Sequence, residues 1–474
     1  MLRKIIKPII FLPLLLFNVS QQAISKETNN LSNEILGEKD NKIFLDYEAI
    51  EKIIINNQEL KSLEALVNSS RFNLSSKVSK KFPTLNLQAN GLPKYVAGKN
   101  FNSNTQKTKT SQFSANPSLN IRLDLIDPLR DSEIKIARES YKIAKNNFEI
   151  KRKDLIQEAR ARYHKYQKSY QDIENKKLTL EASITSFKNA EAKLKAGIGT
   201  KFEVLEADAQ LSRDEQILNE KKIQHEINKI SLREILDIKD EFEIKKSQKL
   251  TGFWNYKLNK NLREGLQNNL SLQNLSLQKE IKKNQSINYS NAYKPSVYIS
   301  NSFSSGFTKG DAASISLDSS EYGSSYTNTI SLNFSWTIFD GGENKNSYKS
   351  SKAEAEAEEF SFNNLKNILK TNISTAYLNL KLNEEKILSS LKEISSTSES
   401  LRLARLRYDV GISTLKDVLV RQKELSNAKS KNINAIYNYN LTLDELERLT
   451  FLEKNKDCIE KDNNKNKSIC NMKK

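Results

Sequence analysis

Histidine and cysteine are almost missing from this sequence of 474 residues, which holds only His164, His225, Cys458 and Cys470. Zinc sites built from His and Cys therefore lack ligands. Both histidines lie inside helical runs, where a lone ring is ordinarily packing or surface and not a general base. No Gly-rich loop ending in Lys and Ser or Thr is present to cradle a nucleotide phosphate. Carboxylates are plentiful but scattered among lysines, so no acid pair of the glycosidase kind stands out. The sequence thus predicts a protein that is not an enzyme and uses no cofactor or metal. The two cysteines fall in a hydrophilic C-terminal segment, where pairing and two free thiols are both open.

Glycine and proline are scarce as well, at 13 and 7 residues. Beyond the start of the chain, no apolar stretch approaches the roughly 20 residues of a membrane-spanning helix. The start itself has basic Arg3, Lys4 and Lys7, an apolar run from Ile5 to Phe17 broken by Pro8 and Pro13, and Ala23-Ile24-Ser25. This predicts a secretory signal over residues 1–25, with no following Cys for lipid attachment and a mature chain from near Lys26. Hydrophobic residues make up 37% and charged residues 28%, a balance that suits long solvated helices better than one large core. The net charge of +18 does not point to nucleic acid. Its lysines are interleaved with Glu and Asn, and no zinc-finger spacing, aromatic RNA-binding pattern or compact basic helix is present.

What the sequence does contain is itself, twice. Gly197-Ile198-Gly199-Thr200, leading to Glu203-Val204-Leu205 and Leu211-Ser212, returns as Gly411-Ile412-Ser413-Thr414, leading to Asp417-Val418-Leu419 and Leu425-Ser426, 214 residues on. The segment Leu119 to Asp127 matches Leu332 to Asp340 at an offset of 213, and Pro83 matches Pro295 at 212. Three separated landmarks at nearly one offset place the same order in each half: helix, strand, strand, long helix, turn, helix. The predicted divisions are a first repeat over 26–238, a second over 239–452, and a hydrophilic, disordered tail over 453–474.

Period-two alternation marks the strands. Leu85, Leu87 and Ala89, then Leu119, Ile121, Leu123 and Leu125, form the first pair; Val297 and Ile299, then Ile330, Leu332, Phe334, Trp336 and Ile338, form the second. Their other face carries Asn, Ser, Thr, Arg and Asp, as suits a barrel wall between lipid and water, although a soluble sandwich alternates too. The polar stretches Gly98 to Asn116 and Ser304 to Thr327 are expected to be exposed hairpin loops.

Two runs free of Gly and Pro follow, Leu129 to Ala196 and Glu343 to Val410, each of 68 residues. A helix of that length spans about 100 Å. Ala159, Tyr166, Ile173, Leu180, Phe187 and Leu194 recur every seven residues in the first, and Ile373, Leu380, Ile387, Ile394, Leu401 and Tyr408 in the second. Such a repeat dedicates a stripe to partner helices, which makes it a packing seam. Gly197 and Gly411 end these helices where a left-handed residue is needed; Thr200, and either Ser413 or Thr414, are expected to cap the returning helices. Asp127 is the expected cap of the first long helix, with Pro128 at its first position.

Four amphipathic strands cannot close a barrel, which takes about eight, so strands facing lipid demand further copies of the chain. A barrel joined to long helices is a conduit. At this point the residues resemble a family: an exported, duplicated chain with paired strands, the turn Tyr408-Asp409-Val410-Gly411 and then Asp417-Val418-Leu419 looks like the TolC-type outer-membrane efflux proteins. Phe339-Asp340-Gly341-Gly342 resembles the family's junction from strand to helix; the first copy departs from it with Ile126-Asp127-Pro128-Leu129.

The resemblance implies a mainly α fold with a membrane β-barrel, completed as a homotrimer with a 12-stranded barrel in outer-membrane lipid and a 12-helix periplasmic tube. It implies a passive channel for export, in a tripartite pump or type I secretion, with a periplasmic adaptor protein at the tip turns and an inner-membrane pump supplying energy. The docking candidates are Leu194, Gly197, Tyr408 and Gly411. Acidic residues near the turn line the gate in this family; Asp417 matches one of them, the next is replaced by Val420, and the first copy offers Glu203 and Glu206. Together these acids are expected to favour cations at the mouth, while the plainer reading makes them acids on helix N-termini. A periplasmic coiled-coil adaptor or structural rod shares the signal, the heptads and the turns, but it would carry a small lipoyl-like or barrel domain in place of two strand pairs wedged between long helices.

Overall fold

Strands and helices run through the chain twice in the same order. In the first half come β1 (Lys42–Leu45), α1 (Ala49–Ile54), α2 (Gln58–Ser79), β2 (Thr84–Asn102), β3 (Thr105–Ile126), α3 (Arg130–Lys195) and α4 (Lys201–Leu236). The second half has β4 (Glu241–Ile244), α5 (Leu258–Gln267), α6 (Leu270–Asn291), β5 (Ser296–Asp311), β6 (Gly323–Ser335), α7 (Glu343–Asp409) and α8 (Leu415–Thr450). This is a computed structural model, and it describes residues 42–102, 105–238, 241–244, 249–311 and 323–455. The expected signal peptide, Cys458, Cys470 and most of the expected tail lie outside the described residues.

The four long strands form one antiparallel sheet in the order β2-β3-β5-β6. Because alternation is in register across it, one face is mainly apolar and the other mainly polar, with Asn301 interrupting the apolar row between Ile121 and Ile330. Leu123 pairs with Ile299, which pairs with Leu332, and Leu85 pairs with Ile121. One residue along, Thr84, Arg122, Ser300 and Ser331 form a polar row. The apolar face is bare: Leu87, Ile330, Leu332 and Phe334 are all exposed. Among the described residues no helix is long and apolar enough to cross a membrane.

The polar stretches expected as loops are largely strand. β2 and β3 stay paired through Gly98 and Thr110 to Asn102 and Thr105, and β5 pairs with β6 out to Thr308 and Gly323. Hydrogen bonding between strands needs only backbone, so a ladder continues into Ser, Thr and Lys where the apolar pattern that betrays a strand has faded.

The long helices are as the heptads predict, with α3 of 66 residues and α7 of 67. Of the predicted seams, Ala159, Tyr166 and Ile173 on α3, and Ile373, Leu380, Ile387, Leu401 and Tyr408 on α7, are buried. Nearest the sheet the helices lie in the order α2-α3-α6-α7, and towards the tips in the order α4-α3-α8-α7. Both orders are open strips.

Two additions went unforeseen. One is a short helix before each of α2 and α6; the other is the parallel pairing of β1 with β4. Together with α1 they pack against the middle of α3 in a cluster that includes Leu45, Ile50, Tyr163, Leu232 and Phe242. The first tail residues belong to this level of the wall also. Asn455 pairs with Phe253, and the Lys454 side chain is 7% exposed with its ammonium 2.7 Å from Asp444, because a buried carboxylate there needs a counter-charge.

Candidate functional site at the helical tips

Each long helix ends on a glycine with positive φ, +77° at Gly197 and +80° at Gly411. Ile198 donates to the Lys193 carbonyl, and Ile412 to that of Arg407, which satisfies carbonyls the helix leaves open. A Cβ at either glycine would meet open space, so backbone conformation alone selects the residue.

The returning helices start with matching caps. The Thr200 hydroxyl accepts from the Glu203 amide at 3.2 Å while the Glu203 carboxylate accepts from the Thr200 amide, and Thr414 with Asp417 repeats the arrangement. Such a box is worth about 1 kcal/mol to the helix. Asp417 is engaged further: its carboxylate accepts from the Ser413 hydroxyl at 2.7 Å and from the Thr414 hydroxyl at 3.1 Å. Those bonds, the Ser413 one foremost, hold its pKa below the ordinary carboxylate range. Of the three acids expected at the gate, Glu203 and Asp417 are thus bound into their own turns. Glu206 stands half-exposed one turn beyond Glu203.

The two hairpins meet in an apolar cluster of Ala190, Val204, Ala207, Leu401, Tyr408, Leu415 and Val418, with Leu194 packed against it. Lys193 crosses between them: its ammonium donates to the Tyr408 carbonyl at 2.9 Å and lies 3.5 Å from the centre of that ring. A cation over the last carbonyls of α7 also meets the negative end of its dipole. The Tyr408 side chain is buried, and its hydroxyl has no hydrogen-bond partner among the described residues. Burial raises its pKa, and the charges of Glu203 and Asp409 push the same way. Lys193 was not singled out from the sequence. The signal was there, since it aligns with Arg407 in the second copy and stands in the last turn of a helix.

At the outermost surface Ile198, Phe202, Val410 and Ile412 are between 69% and 77% exposed. Of the docking candidates, Gly197 and Gly411 therefore lie at a bare apolar crown, while Leu194 and Tyr408 lie beneath it and carry the contact between hairpins.

The profile of the outer membrane efflux protein family matches residues 49–237 and 261–450 of this sequence. The chain belongs to that family. It is an outer-membrane efflux protein. None of the curated proteins compared with it matches. Among solved structures, the CmeC outer membrane channel of Campylobacter jejuni is 17% identical, with a TM-score of 0.70 over 92% of this chain and 93% of that one. The outer membrane protein VceC of Vibrio cholerae is 14% identical, with a TM-score of 0.69 over 85% and 96%. The open-state MtrE outer membrane channel of Neisseria gonorrhoeae is 14% identical, with a TM-score of 0.68 over 88% and 93%. At these identities the likeness is one of fold.

Proposed function

We infer that three copies of this efflux protein close into a passive trans-periplasmic conduit, with a 12-stranded barrel in outer-membrane lipid and a 12-helix tube below it. One observation carries the reading. At every level the chain is an open strip, and the unpartnered elements fall on the same two sides: β2, α2 and α4 on one, β6 and α7 on the other. A strip with unlike edges joins head to tail, and it closes into a ring when the rotation between copies is a whole fraction of a turn.

The free helical edges support this. On α4, Phe202, Leu205, Ile227 and Ile230 are exposed, and on α7 Leu378, Leu382, Leu403 and Leu406. Leu205 and Leu403 lie eight residues from their tip glycines, Phe202 and Leu406 five, and Ile230 and Leu378 thirty-three. The two helices run in opposite directions, so apolar residues meet at matching heights when α4 of one copy lies beside α7 of the next.

The repeats over 26–238 and 239–452 each supply one strand pair and one hairpin. Glu203, Glu206 and Asp417 belong to the gate region, where the caps made by Glu203 and Asp417 fix the turns that frame the opening. The crown around Gly197 and Gly411 receives a periplasmic adaptor, and an inner-membrane pump drives cargo through. The test is electron microscopy of the protein extracted from outer membranes in detergent, with its mass from light scattering. Tapered tubes well over 100 Å long, as helices of ~66 residues require, with three chains each are expected. Short rods, or monomers absent from the membrane fraction, overturn the reading.

A further inference from the structure

The two copies of the tip differ in charge. Over residues 188–213 five Lys and Arg face four Asp and Glu, whereas over residues 402–427 six face three. Two of those six are spent, since Arg402 pairs with Glu399 at 2.6 Å and Arg421 with Glu424 at 2.7 Å. Arg405, Arg407 and Lys416 are exposed and form no ion pair among the described residues. Of the acids in this copy, Asp417 keeps its charge, fixed in its cap by Ser413 and Thr414, and Val420, 43% exposed, stands where the first copy has Glu206.

Geometry makes this excess hard to hide from the aperture. Successive helix residues are about 100° apart, so Leu401 and Tyr408 of α7 point to their own hairpin partners while Leu403, Leu406 and Val410 point to the opposite, unpartnered side. Of the two faces left between these directions, one carries Arg402, Arg405 and Asp409, and the other carries Arg407, beside which Asp417 lies. Neither face is acidic on balance. The lower sheet adds no sign of its own. On its polar face the charged groups nearest the helices are Arg122 and Asp124, 2.9 Å apart, among Thr84, Asn120, Ser300 and Ser331.

The geometry points to an anion-preferring aperture, in which Arg405, Arg407 and Lys416 set the sign of selectivity. It rests on the conduit reading. In a narrow mouth the summed charge decides which ions gather, and each chain brings an excess of three positive charges over the two tip segments once Glu399, the partner of Arg402, is counted. Anionic cargo passes with a local attraction where cationic cargo meets repulsion.

The test is the reversal potential of the purified full-length protein in a planar bilayer under a KCl gradient. Chloride is expected to permeate at least about twice as readily as potassium, an ordinary effect of charged rings in a pore. The triple variant Arg405→Glu, Arg407→Glu, Lys416→Glu, whose substitutions are all at exposed positions, is expected to prefer potassium, while Glu206→Gln keeps the wild-type sign. If the resting channel conducts too little, chloride and potassium release is compared from vesicles carrying Tyr408→Ala, which leaves tip charge unchanged. A wild-type preference for potassium, or a triple variant that still prefers chloride, overturns the assignment and leaves the conduit standing. Three-chain tubes that conduct separate this failure from that of the conduit itself.

Discussion

Lys193 and Tyr408 join the two hairpins of one chain, with the ammonium 2.9 Å from the Tyr408 carbonyl and over the same ring. The contact holds the tip of α7 against α3 at the end where the proposed conduit would close. A charge-assisted bond of this kind contributes about 1.5 to 3 kcal/mol, and the loss of ~1.4 kcal/mol shifts an equilibrium tenfold. Lys193→Ala is therefore expected to raise the open probability of the channel about tenfold in bilayer recordings. Unchanged gating would reduce Lys193 to a surface cation.

Asp444 is the centre of a second, deeper contact. Its carboxylate accepts from the Tyr47 hydroxyl at 2.5 Å, meets Lys454 at 2.7 Å and lies 3.2 Å from His164 Nε2. Residues from the start of the described chain, from α3, from α8 and from beyond α8 thus converge on one carboxylate. Burial works against its charge, but the His164 hydrogen bond and the Lys454 and Arg160 cations outweigh it and hold the pKa far below the ordinary range. A depressed carboxylate stabilises the fold above its unfolded pKa and loses that contribution only as pH falls towards the folded value. Stability from this group should hold down to pH ~4, where an ordinary Asp begins to protonate, and decline below it. Asp444→Asn strands Lys454 and is expected to cost about 3 to 5 kcal/mol in thermal unfolding of the detergent-extracted protein. A variant that melts with wild type would show the site to be solvated.

Much of this was legible beforehand, for a physical reason in each case. The duplication, the long helices and the tip turns are written in residues whose backbone or burial demands are strict: Gly197 and Gly411 at positive φ, and Ile373 to Tyr408 every seventh position. The strand ends were not, because Lys99 and Lys109 pair through backbone and leave no hydrophobic trace. The mid-wall cluster was invisible for another reason. Asp444 sits between Leu443 and Leu446 on α8, and nothing local says that Tyr47 and Lys454 come to meet it. At the tip the acids were legible as residues beside the turns, but that Glu203 and Asp417 are bound into caps required the turn geometry.

The edges of the strip invite a direct test of assembly. Leu382 is 50% exposed on α7 and Ile227 52% exposed on α4, and both are expected to be covered by neighbouring copies. Leu382→Asp would place a charge in that seam without touching the buried seam inside the chain. The variant is expected to fold, with wild-type circular dichroism, yet to yield mostly monomer by light scattering. Full trimer from Leu382→Asp would move the contact between copies away from α7.

Glu384 offers the opposite pH dependence to Asp444. It lies half-buried on α7 near Tyr439, and burial raises its pKa to about 7, with Lys381 opposing and Glu385 adding. A raised carboxylate binds its proton more tightly in the folded chain. Folding stability from this group is therefore greatest at acid pH, falls as pH rises from the ordinary Glu range through about 7, and is level above that. Glu384→Gln keeps the shape and removes the charge. It is expected to flatten the slope between pH 5 and 8 and to stabilise the protein at pH 8 by ~2 kcal/mol, read from urea unfolding at the two pH values. Identical slopes for variant and wild type would mean that water reaches this carboxylate and holds it at its ordinary pKa.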